Sequence, residues 1–381
     1  MPESVRDTVL LAHPSPDLYG SDLQMLETVT GFVDDDWRVV VVLPKEGPLL
    51  PLLVERGAEV RIMRFPVVSR SLLHPRRFLG FVADTVRAQI GAHREIRRVR
   101  PSVVWVNTVT CPVWLSAARS AGTRAVVHVH EAEEDGSKLV RMALVSPLAL
   151  ARTIVVNSRA ASRAITDALP FLRAKIDLVY NGVPGPEHEP VPPAPHQGTT
   201  RIALVGRLSP RKGSDTALEA TALLRAEGLD VHLDLYGAVF PGYEWFETEL
   251  RERAARPDLD GAVTFHGYVR PVWRSLEAAD VVIVPSRVEP FGNVAVEAQM
   301  ACRPVVVSAV QGLTEIVSDG DNGLHAQTAS AADLARAVGS VIRSPELAHR
   351  LALAGRRNAL DRFTVERYRS EIARVLDEAN S

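Results

Sequence analysis

Residues 201–227 read RIALVGRLSPRKGSDTALEATALLRAE. A short aliphatic run, RIALV, is followed by a loop that contains glycine and proline, and then by a stretch whose apolar residues recur at helical spacing. A buried strand joined by a tight turn to an amphipathic helix is the repeating unit of parallel α/β sheets. The same alternation continues in both directions along the chain, so the sequence predicts α/β domains built on parallel sheets.

Short aliphatic runs that alternate with amphipathic stretches define the predicted elements. The predicted strands span residues 8–11, 38–43, 59–62, 103–106, 125–129, 153–156, 175–179, 201–205, 231–236, 263–265, 281–285 and 304–308. The predicted helices span residues 23–33, 78–98, 112–121, 159–169, 214–227, 244–255, 293–301, 331–341, 345–360 and 365–379. The strands fall into two groups, which predicts two doubly wound domains.

A proline-rich segment separates the two groups of strands. Residues 182–197, GVPGPEHEPVPPAPHQ, contain six prolines and show no apolar periodicity, so they fit neither a helix nor a central strand. We therefore predict a first domain over residues 1–183, a linker over 184–197 and a second domain over 198–360. The last helix, within residues 361–381, either closes the second domain or packs back on the first.

Composition and charge exclude several classes of protein. Of the 381 residues, 46% are hydrophobic and 24% are charged, which is typical of a folded chain rather than a disordered one. With 44 basic and 46 acidic side chains the net charge is −2, which argues against non-specific binding to nucleic acid. Two cysteines are too few for a disulfide framework, and no signal peptide or membrane-spanning apolar run is evident. We expect a cytoplasmic protein.

The loop after the strand at 201–205 has the composition of an anion site. Gly206 allows the backbone to approach a ligand closely, and the helix that follows the loop offers unpaired N–H groups at its start. Arg207 and Lys212 add positive charge, and Lys212 is one of only four lysines in the chain. The pattern favours a diphosphate ligand, and a solvated turn with outward charges is the alternative.

A second loop carries two carboxylates. Residues 289–297, EPFGNVAVE, follow a predicted strand, and the proline and glycine mark a loop before the pattern becomes helical at Asn293. Glu289 therefore lies at the sheet edge, and Glu297 lies one turn inside the helix, about 6 Å from its start. This arrangement suits an elongated ligand with hydroxyl groups at both ends and an anionic middle. A surface glutamate is the alternative for Glu297.

Together, these two loops resemble those of the retaining nucleotide-sugar glycosyltransferases of family 4. The most specific feature is the E-x7-E motif, matched by Glu289 and Glu297, and GRLSPRKG at 206–213 resembles the phosphate segment of the family. Residues 263–269, VTFHGYV, resemble the strand and turn whose backbone receives the nucleotide base. The resemblance implies the GT-B fold, in which two Rossmann-like domains face each other across an interdomain cleft. It implies an acceptor side in the first domain and a donor site in the second.

The resemblance also implies a role for each matched residue. The first glutamate of the motif holds sugar hydroxyls, the second holds ribose hydroxyls, and the two basic residues of the phosphate segment hold the diphosphate. The implied donor-binding residues are Gly20, Gly206, Arg207, Lys212, Tyr268, Val269, Glu289, Phe291, Gly292, Asn293, Val294 and Glu297. The implied catalytic residues are His130, Glu289, Arg207 and Lys212. Cys302 stands where the family usually has glycine, and Gln311-Gly312 replaces its usual Gly-Gly, which concerns local backbone geometry.

Two features of the first domain resemble the acceptor side of the family. Gly20 follows the first predicted strand and matches a glycine-bearing loop that reaches the donor phosphates and the acceptor. His130 ends a predicted strand, with His128 behind it on the same face. It matches a strand-end histidine of the family, so we predict that it positions the reacting sugar or the acceptor. A purely structural histidine is the alternative.

Two charge clusters lie outside these loops. Asp34, Asp35 and Asp36 have the spacing of a D-x-D metal motif, but they lie between a predicted helix and the start of a strand, so we predict a solvated turn. Between residues 61 and 100, ten arginines oppose two acidic residues, with apolar side chains between them. That pattern fits peripheral contact with an anionic membrane, or a helix with one buried and one arginine-rich exposed face.

The sequence therefore predicts a retaining glycosyltransferase of the hexosyltransferase type. The donor is a nucleoside-diphosphate sugar, and the hydroxyl acceptor is a glycolipid, a polysaccharide or a small natural product. No metal or other cofactor is predicted. A nucleotide-sugar epimerase or hydrolase on the same fold, and a non-catalytic protein that binds sugar nucleotides, are the alternatives.

Overall fold

The chain forms two compact units. The computed structural model describes residues 7–18, 20–67, 75–132, 137–195, 198–240 and 242–381, with only the backbone described for residues 75–83. Unit 1 comprises Met1–Gly182 and Val365–Ser381, and unit 2 comprises Val183–Thr364. Each unit is built on one parallel sheet flanked by helices, which confirms the predicted pair of Rossmann-like domains.

Unit 1 contains a seven-stranded sheet. Its strands are β1 (Thr8–Ala12), β2 (Arg38–Leu43), β3 (Glu59–Ile62), β4 (Val103–Asn107), β5 (Arg124–Val129), β6 (Thr153–Val156) and β7 (Ile176–Leu178). Its helices are α1 (Gly20–Asp34), α2 (Leu49–Glu55), α3 (Pro75–Val99), α4 (Pro112–Ala121), α5 (Lys138–Val145), α6 (Arg159–Ala168) and, from the end of the chain, α14 (Val365–Asn380). The strand order is β3-β2-β1-β4-β5-β6-β7, and all neighbours are parallel. The order reverses between β1 and β4, where ligands bind in folds of this kind.

Both faces of this sheet are buried, which explains why its strands read as continuous aliphatic runs. Leu10 of β1 enters the core that includes residues of α3 and α4. Its neighbours Val9 and Leu11 enter a second core with residues of α1 and α14. Tyr368 of α14 is fully buried there, and its hydroxyl lies 2.6 Å from the Thr28 hydroxyl of α1. The C-terminal helix is therefore part of the unit 1 core.

Unit 2 contains a six-stranded sheet. Its strands are β8 (Thr200–Val205), β9 (Val231–Tyr236), β10 (Val263–Gly267), β11 (Val281–Val284), β12 (Val305–Ser308) and β13 (Leu324–Ala326). Its helices are α7 (Ser214–Ala226), α8 (Glu244–Ala254), α9 (Trp273–Glu277), α10 (Asn293–Met300), α11 (Leu313–Ile316), α12 (Ala331–Arg343) and α13 (Pro345–Arg362). The strand order is β10-β9-β8-β11-β12-β13, and all neighbours are parallel. The loops after β8 and β11 leave the sheet next to each other, where the strand order reverses.

The predicted elements are present with small shifts at their ends. All twelve predicted strands occur, within two residues at each end, and all ten predicted helices occur within three. The sequence did not predict β13 or the helices α2, α5, α9 and α11. These elements have three to eight residues, too few for a periodic pattern to stand out. Helix α1 begins at Gly20 rather than near residue 23, because a glycine, a serine and an aspartate are tolerated in a first turn.

Candidate functional site

The loop after β8 is shaped by glycines that approach backbone closely. Gly206 has φ +148°, a conformation that favours glycine, and its N–H donates to the Tyr236 carbonyl at 2.9 Å. A Cβ atom at Gly237, which follows β9, would overlap the carbonyl oxygen of Gly206. The loops after these two neighbouring strands therefore touch through backbone alone.

Gly213 joins this loop to the strand on its other side. It has φ +71° and immediately precedes α7. A Cβ atom there would overlap the carbonyl oxygen of Pro285, the residue after β11. The absence of a side chain at this position thus lets the start of α7 sit against the end of β11, and the first N–H groups of a helix are where anions bind.

We predict that Gly213→Ala destabilises unit 2 far more than an alanine at another left-handed glycine. Gly228 is the matched control, because it has φ +83° and nothing within 4 Å of an added Cβ. The control pays only for the backbone conformation, about 1–2 kcal/mol, which corresponds to a melting-temperature loss of roughly 2–8 °C. Gly213→Ala adds a steric overlap with rigid backbone and should cost at least about 2 kcal/mol more. Equal melting temperatures for the two variants would show that the contact with Pro285 is unimportant.

Arg287, which follows β11, braces the same loop. Its guanidinium donates to both carboxylate oxygens of Asp215, at 2.9 and 2.7 Å, and also to the carbonyl of Pro210. Its backbone N–H donates to the Arg211 carbonyl at 2.7 Å. The hydrogen bonds to Asp215 raise the pKa of Arg287. These hydrogen bonds were not predicted from the sequence, because no local pattern links residues 72 positions apart.

Lys212 and Glu289 form an ion pair between the two predicted ligand loops. The Nζ atom of Lys212 lies 2.5 Å from Oε2 of Glu289, and the two side chains are 24% and 12% exposed. The Ser286 hydroxyl donates to the same carboxylate oxygen at 3.1 Å. The predicted phosphate-binding cation and the predicted sugar-binding carboxylate therefore lie side by side in a mostly buried position.

The backbone of Glu289 is held by the Gln311-Gly312 pair. The Glu289 N–H donates to Oε1 of Gln311 at 2.9 Å, and the Gly312 N–H donates to the Glu289 carbonyl at 3.1 Å. Gln311 has φ +41°, which explains why a glycine is the usual residue there. Cys302, the other departure from the family pattern, likewise has φ +55°. Both departures keep the left-handed backbone, and Gln311 adds a side-chain acceptor beside Glu289.

The other residues of the second predicted loop surround the start of α10. Gly292 has φ +116°, and a Cβ atom there would lie 2.6 Å from the Leu313 side chain. Phe291 is buried against Phe363, with ring centroids 5.7 Å apart, so its backbone rather than its ring is available to a ligand. Asn293 and Val294 form the first turn of α10, the part of a helix at which anions bind.

Glu297 lies one turn further along α10 and is half-buried. Burial raises the pKa of its carboxyl group, and the positive charges of Arg270 and Lys212 oppose that rise. Lys212 therefore influences both glutamates of the motif, Glu289 by contact and Glu297 through its field.

Arg207, Tyr268 and Val269 occupy the side of the sheet formed by β8, β9 and β10. The Arg207 guanidinium is exposed and lies over the Phe240 ring, 4.2 Å from its centroid. Tyr268 is 55% exposed and directly follows β10, and Val269 beside it is half-buried. All predicted site residues of unit 2 thus lie in loops after β8, β10 and β11 or in the first two turns of α10.

Gly20 and His130 belong to unit 1. Gly20 is exposed and is the first residue of α1. His130 directly follows β5, its Nε2 lies 2.9 Å from Oδ1 of Asn107, and its ring packs on His128 with centroids 4.0 Å apart. Burial, with a smaller contribution from His13, lowers the pKa of His130 to about 3, so the imidazole is neutral near pH 7. His13 was not assigned a role from the sequence.

The structure describes the aspartate cluster and part of the arginine-rich segment. Asp34 ends α1, and Asp36 turns the chain toward β2 with φ +63°. No group of three or more potential metal-binding side chains occurs among the residues whose side chains are described. In the arginine-rich segment, Arg61 pairs with Glu59 and Glu95. Residues 68–74 and the side chains of 75–83 of that segment lie outside the description, and no described helix has the length and apolarity to cross a membrane.

Comparisons with known proteins agree with this architecture. Residues 189–358 match the family described as "Glycosyl transferases group 1", and residues 20–184 match "Glycosyltransferase Family 4". Glycogen synthase of Mycobacterium tuberculosis is 29% identical over 225 residues, 58% of this chain and 53% of the relative. D-inositol 3-phosphate glycosyltransferase of Stackebrandtia nassauensis is 29% identical over 319 residues, 76% of this chain and 70% of the relative. The chain thus matches about half the length of the glycogen synthase.

Solved structures show the same fold over the whole chain. The structure of Anabaena HepE in complex with UDP-glucose has a TM-score of 0.81 at 22% identity, covering 98% of this chain and 100% of HepE. Two further HepE structures, one with UDP and one with UDP and glucose, have TM-scores of 0.80. The fold is therefore GT-B, and both family models that match the chain are models of glycosyltransferases.

Proposed function

We propose that this chain is a retaining glycosyltransferase of family 4 that moves a hexosyl group from a nucleoside-diphosphate sugar to a hydroxyl acceptor. The observation that supports this most directly is the Lys212–Glu289 pair, which joins a phosphate-type loop to a carboxylate at the end of β11. A donor of this class carries two phosphates next to a sugar with several hydroxyls. A cation and a carboxylate in contact with each other match those two neighbouring groups.

Each end of the donor has a complementary group in unit 2. The cations Arg207 and Lys212, together with the N–H groups at the starts of α7 and α10, bind the diphosphate. Glu289 accepts hydrogen bonds from sugar hydroxyls and Glu297 from ribose hydroxyls. The backbone at Tyr268 and Val269 receives the base, since backbone groups recognise a ring edge without needing a particular side chain.

Bond breaking relies on stabilisation of the departing diphosphate. The bond between the anomeric carbon and the phosphate oxygen breaks with its electron pair on that oxygen, and the cations and helix starts stabilise the growing negative charge. The acceptor oxygen attacks the anomeric carbon from the face that the diphosphate leaves, which preserves the anomeric configuration. A phosphate oxygen of the departing group takes the acceptor proton, so no protein nucleophile and no metal enter the scheme.

The acceptor belongs to the hydroxyl-bearing classes of glycolipid, polysaccharide or small natural product. The curated relatives are named glycogen synthase and D-inositol 3-phosphate glycosyltransferase, which supports a polysaccharide or a small polyol. For a glycolipid, the arginine-rich segment at 61–100 would provide peripheral contact with an anionic membrane. Val86 and Ile90 on α3 are 54% and 47% exposed and contribute apolar surface to that segment.

A thermal-shift screen with UDP, GDP, ADP and dTDP tests the donor site. We expect one nucleotide to raise the melting temperature of unit 2 by roughly 5–10 °C at a hundred times its dissociation constant, which corresponds to about 2.7 kcal/mol. UDP is the first choice, because HepE structures contain UDP and UDP-glucose. No shift with any of the four nucleotides at millimolar concentration would contradict a nucleotide-sugar donor.

A further inference from the structure

A series of buried hydrogen bonds in unit 1 connects Asp22 to His130. Oδ1 of Asp22 lies 2.8 Å from Nε2 of His13, and Nδ1 of His13 lies 2.8 Å from Nδ2 of Asn107. Oδ1 of Asn107 lies 2.9 Å from Nε2 of His130. Four side chains from α1, the ends of β4 and β5, and the residue after β1 therefore form one connected series.

We propose that Asp22, His13 and Asn107 are positioning residues that hold the His130 proton on Nε2, so that His130 serves transfer as a neutral hydrogen-bond acceptor and never as an acid. The role of His130 in transfer rests on the proposed function. The proton position itself concerns the folded chain without any ligand.

The direction of the series follows from what each group is able to donate. An ionised carboxylate only accepts, so Asp22 receives the Nε2–H of His13. With its proton on Nε2, the His13 ring has a lone pair on Nδ1, which accepts from the amide N–H of Asn107. The amide oxygen of Asn107 is left facing Nε2 of His130 and accepts its N–H. One charge at Asp22 thus orients every donor up to His130.

Burial makes this series rigid. The side chains of His13, Asp22 and Asn107 are at most 3% exposed, so water does not compete for their hydrogen bonds. The His128 ring packs against the His130 ring at a tilt of 42°, and burial lowers the pKa of His128 well below its usual range, so this neighbour is also neutral.

The other charged group at this end of the strand is already engaged. The backbone N–H of His130 donates to Oε2 of Glu131 at 3.0 Å, and the Thr108 hydroxyl donates to the other carboxylate oxygen. Burial raises the pKa of Glu131, while these hydrogen bonds lower it. The carboxylate of Glu131 therefore binds the backbone of this segment rather than the His130 ring.

The consequence is a defined chemical preference at His130. Its single N–H is committed to Asn107, and its Nδ1 is buried without a hydrogen-bond partner among the described residues. A lone pair at Nδ1 attracts a hydroxyl proton and repels a phosphate oxygen. A hydroxyl group of the sugar or the acceptor would satisfy this lone pair, and a phosphate oxygen would not.

Nitrogen-15 NMR of histidine-labelled protein tests the proton position without ligand. Protonated and unprotonated imidazole nitrogens resonate far apart, and the His130 signals among the eleven histidines are identified by their loss in His130→Gln. We expect His130 to be protonated on Nε2 alone between pH 6 and pH 8. Protonation on Nδ1, or an imidazolium at His13 or His130 in this range, would overturn the proposal.

The variant Asp22→Asn removes the charge that orients the series while keeping the shape of the side chain. An asparagine donates as well as accepts, so the His13 proton and the Asn107 amide lose their preferred orientation. We expect a mixture of His130 tautomers and a three- to ten-fold lower kcat. The increase in melting temperature caused by UDP should be the same as in the wild type, because the donor site lies in unit 2. Asp34→Asn, at the exposed end of the same helix, is the matched control and should change neither the His130 tautomer nor kcat.

Three outcomes separate this proposal from the proposed function. A His130 signal unmoved by Asp22→Asn in a folded protein would show that Asp22 is merely structural and would overturn the proposal. A tautomer change without any loss of kcat would overturn the role assigned to His130. If the wild type shows no transfer with any donor, the proposed function fails, while the NMR result still decides the proton position.

Discussion

Glu289→Ala is expected to reduce glycosyl transfer by roughly 100- to 1,000-fold, the scale observed when one group that stabilises a transition state is removed. Nucleoside-diphosphate binding should be unchanged or slightly tighter. The reason is the ion pair of Glu289 with Lys212, because alanine at 289 leaves the Lys212 ammonium without its carboxylate partner and available to a phosphate. Loss of catalysis with retained nucleotide affinity is the signature of a group that binds the sugar.

The control for this experiment is Glu346→Ala. Glu346 lies in the exposed first turn of α13 and accepts a hydrogen bond from the hydroxyl of Ser344 at 3.2 Å. Activity and nucleotide affinity of this variant should match those of the wild type. If Glu289→Ala instead binds nucleoside diphosphate much more weakly and keeps its kcat, the carboxylate holds the nucleotide and the assignment to the sugar is wrong.

Lys212→Ala is expected to weaken nucleoside-diphosphate binding by roughly 10- to 150-fold, equivalent to the 1.5–3 kcal/mol of a hydrogen bond to a charged group. The variant also leaves the Glu289 carboxylate, which is only 12% exposed, unpaired beside an anionic ligand. Isothermal titration with the nucleotide selected by the thermal-shift screen measures the effect. Arg207→Ala should cause a smaller loss, because the Arg207 side chain is exposed and lies over Phe240.

The double variant Lys212→Ala/Glu289→Ala makes this prediction sharper. Without Lys212 the Glu289 carboxylate is unpaired beside the ligand, so removing Glu289 from the Lys212→Ala variant should tighten nucleoside-diphosphate binding by a larger factor than Glu289→Ala does in the wild type. Strictly additive effects would show that the two side chains are not coupled. Unchanged diphosphate affinity in both Lys212→Ala and Arg207→Ala would contradict the phosphate assignment altogether.

The sequence predicted the loops of the candidate site because their signals are local. Gly206 and Gly213 follow and precede regular elements, and the proline and glycine near Glu289 mark a turn before a helix. In a parallel α/β sheet, loops after neighbouring strands share one edge, so local patterns are enough to predict where ligand residues gather. The ends of most strands were also predictable, because strands buried on both faces of a sheet form continuous aliphatic runs.

Contacts between the loops were not predictable in the same way. Lys212 meets Glu289 across 77 positions of sequence, and Arg287 meets Asp215 across 72. No periodicity links such residues, because their contact depends on the strand order and on the close approach of two backbone segments at Gly213. Gln311 did leave a signal, as a side chain in place of a usual glycine, but its hydrogen bond to the Glu289 backbone becomes visible only in the structure.

The hydrogen-bonded series behind His130 shows the same limit of local patterns. His130 was singled out as a strand-end histidine, whereas no side-chain role was predicted for His13 or Asp22. Asp22 lies in the first turn of α1, which begins at Gly20, three residues earlier than the apolar pattern indicated, and its carboxylate contacts His13.

The most direct test of retaining transfer is proton NMR of the donor sugar's anomeric signal during the reaction, with and without acceptor. The account predicts that the donor signal stays constant until a hydroxyl acceptor is added, and that a product signal of the same anomeric configuration then replaces it. Consumption of the donor without acceptor would indicate a hydrolase or epimerase, and a product of opposite configuration would contradict retention.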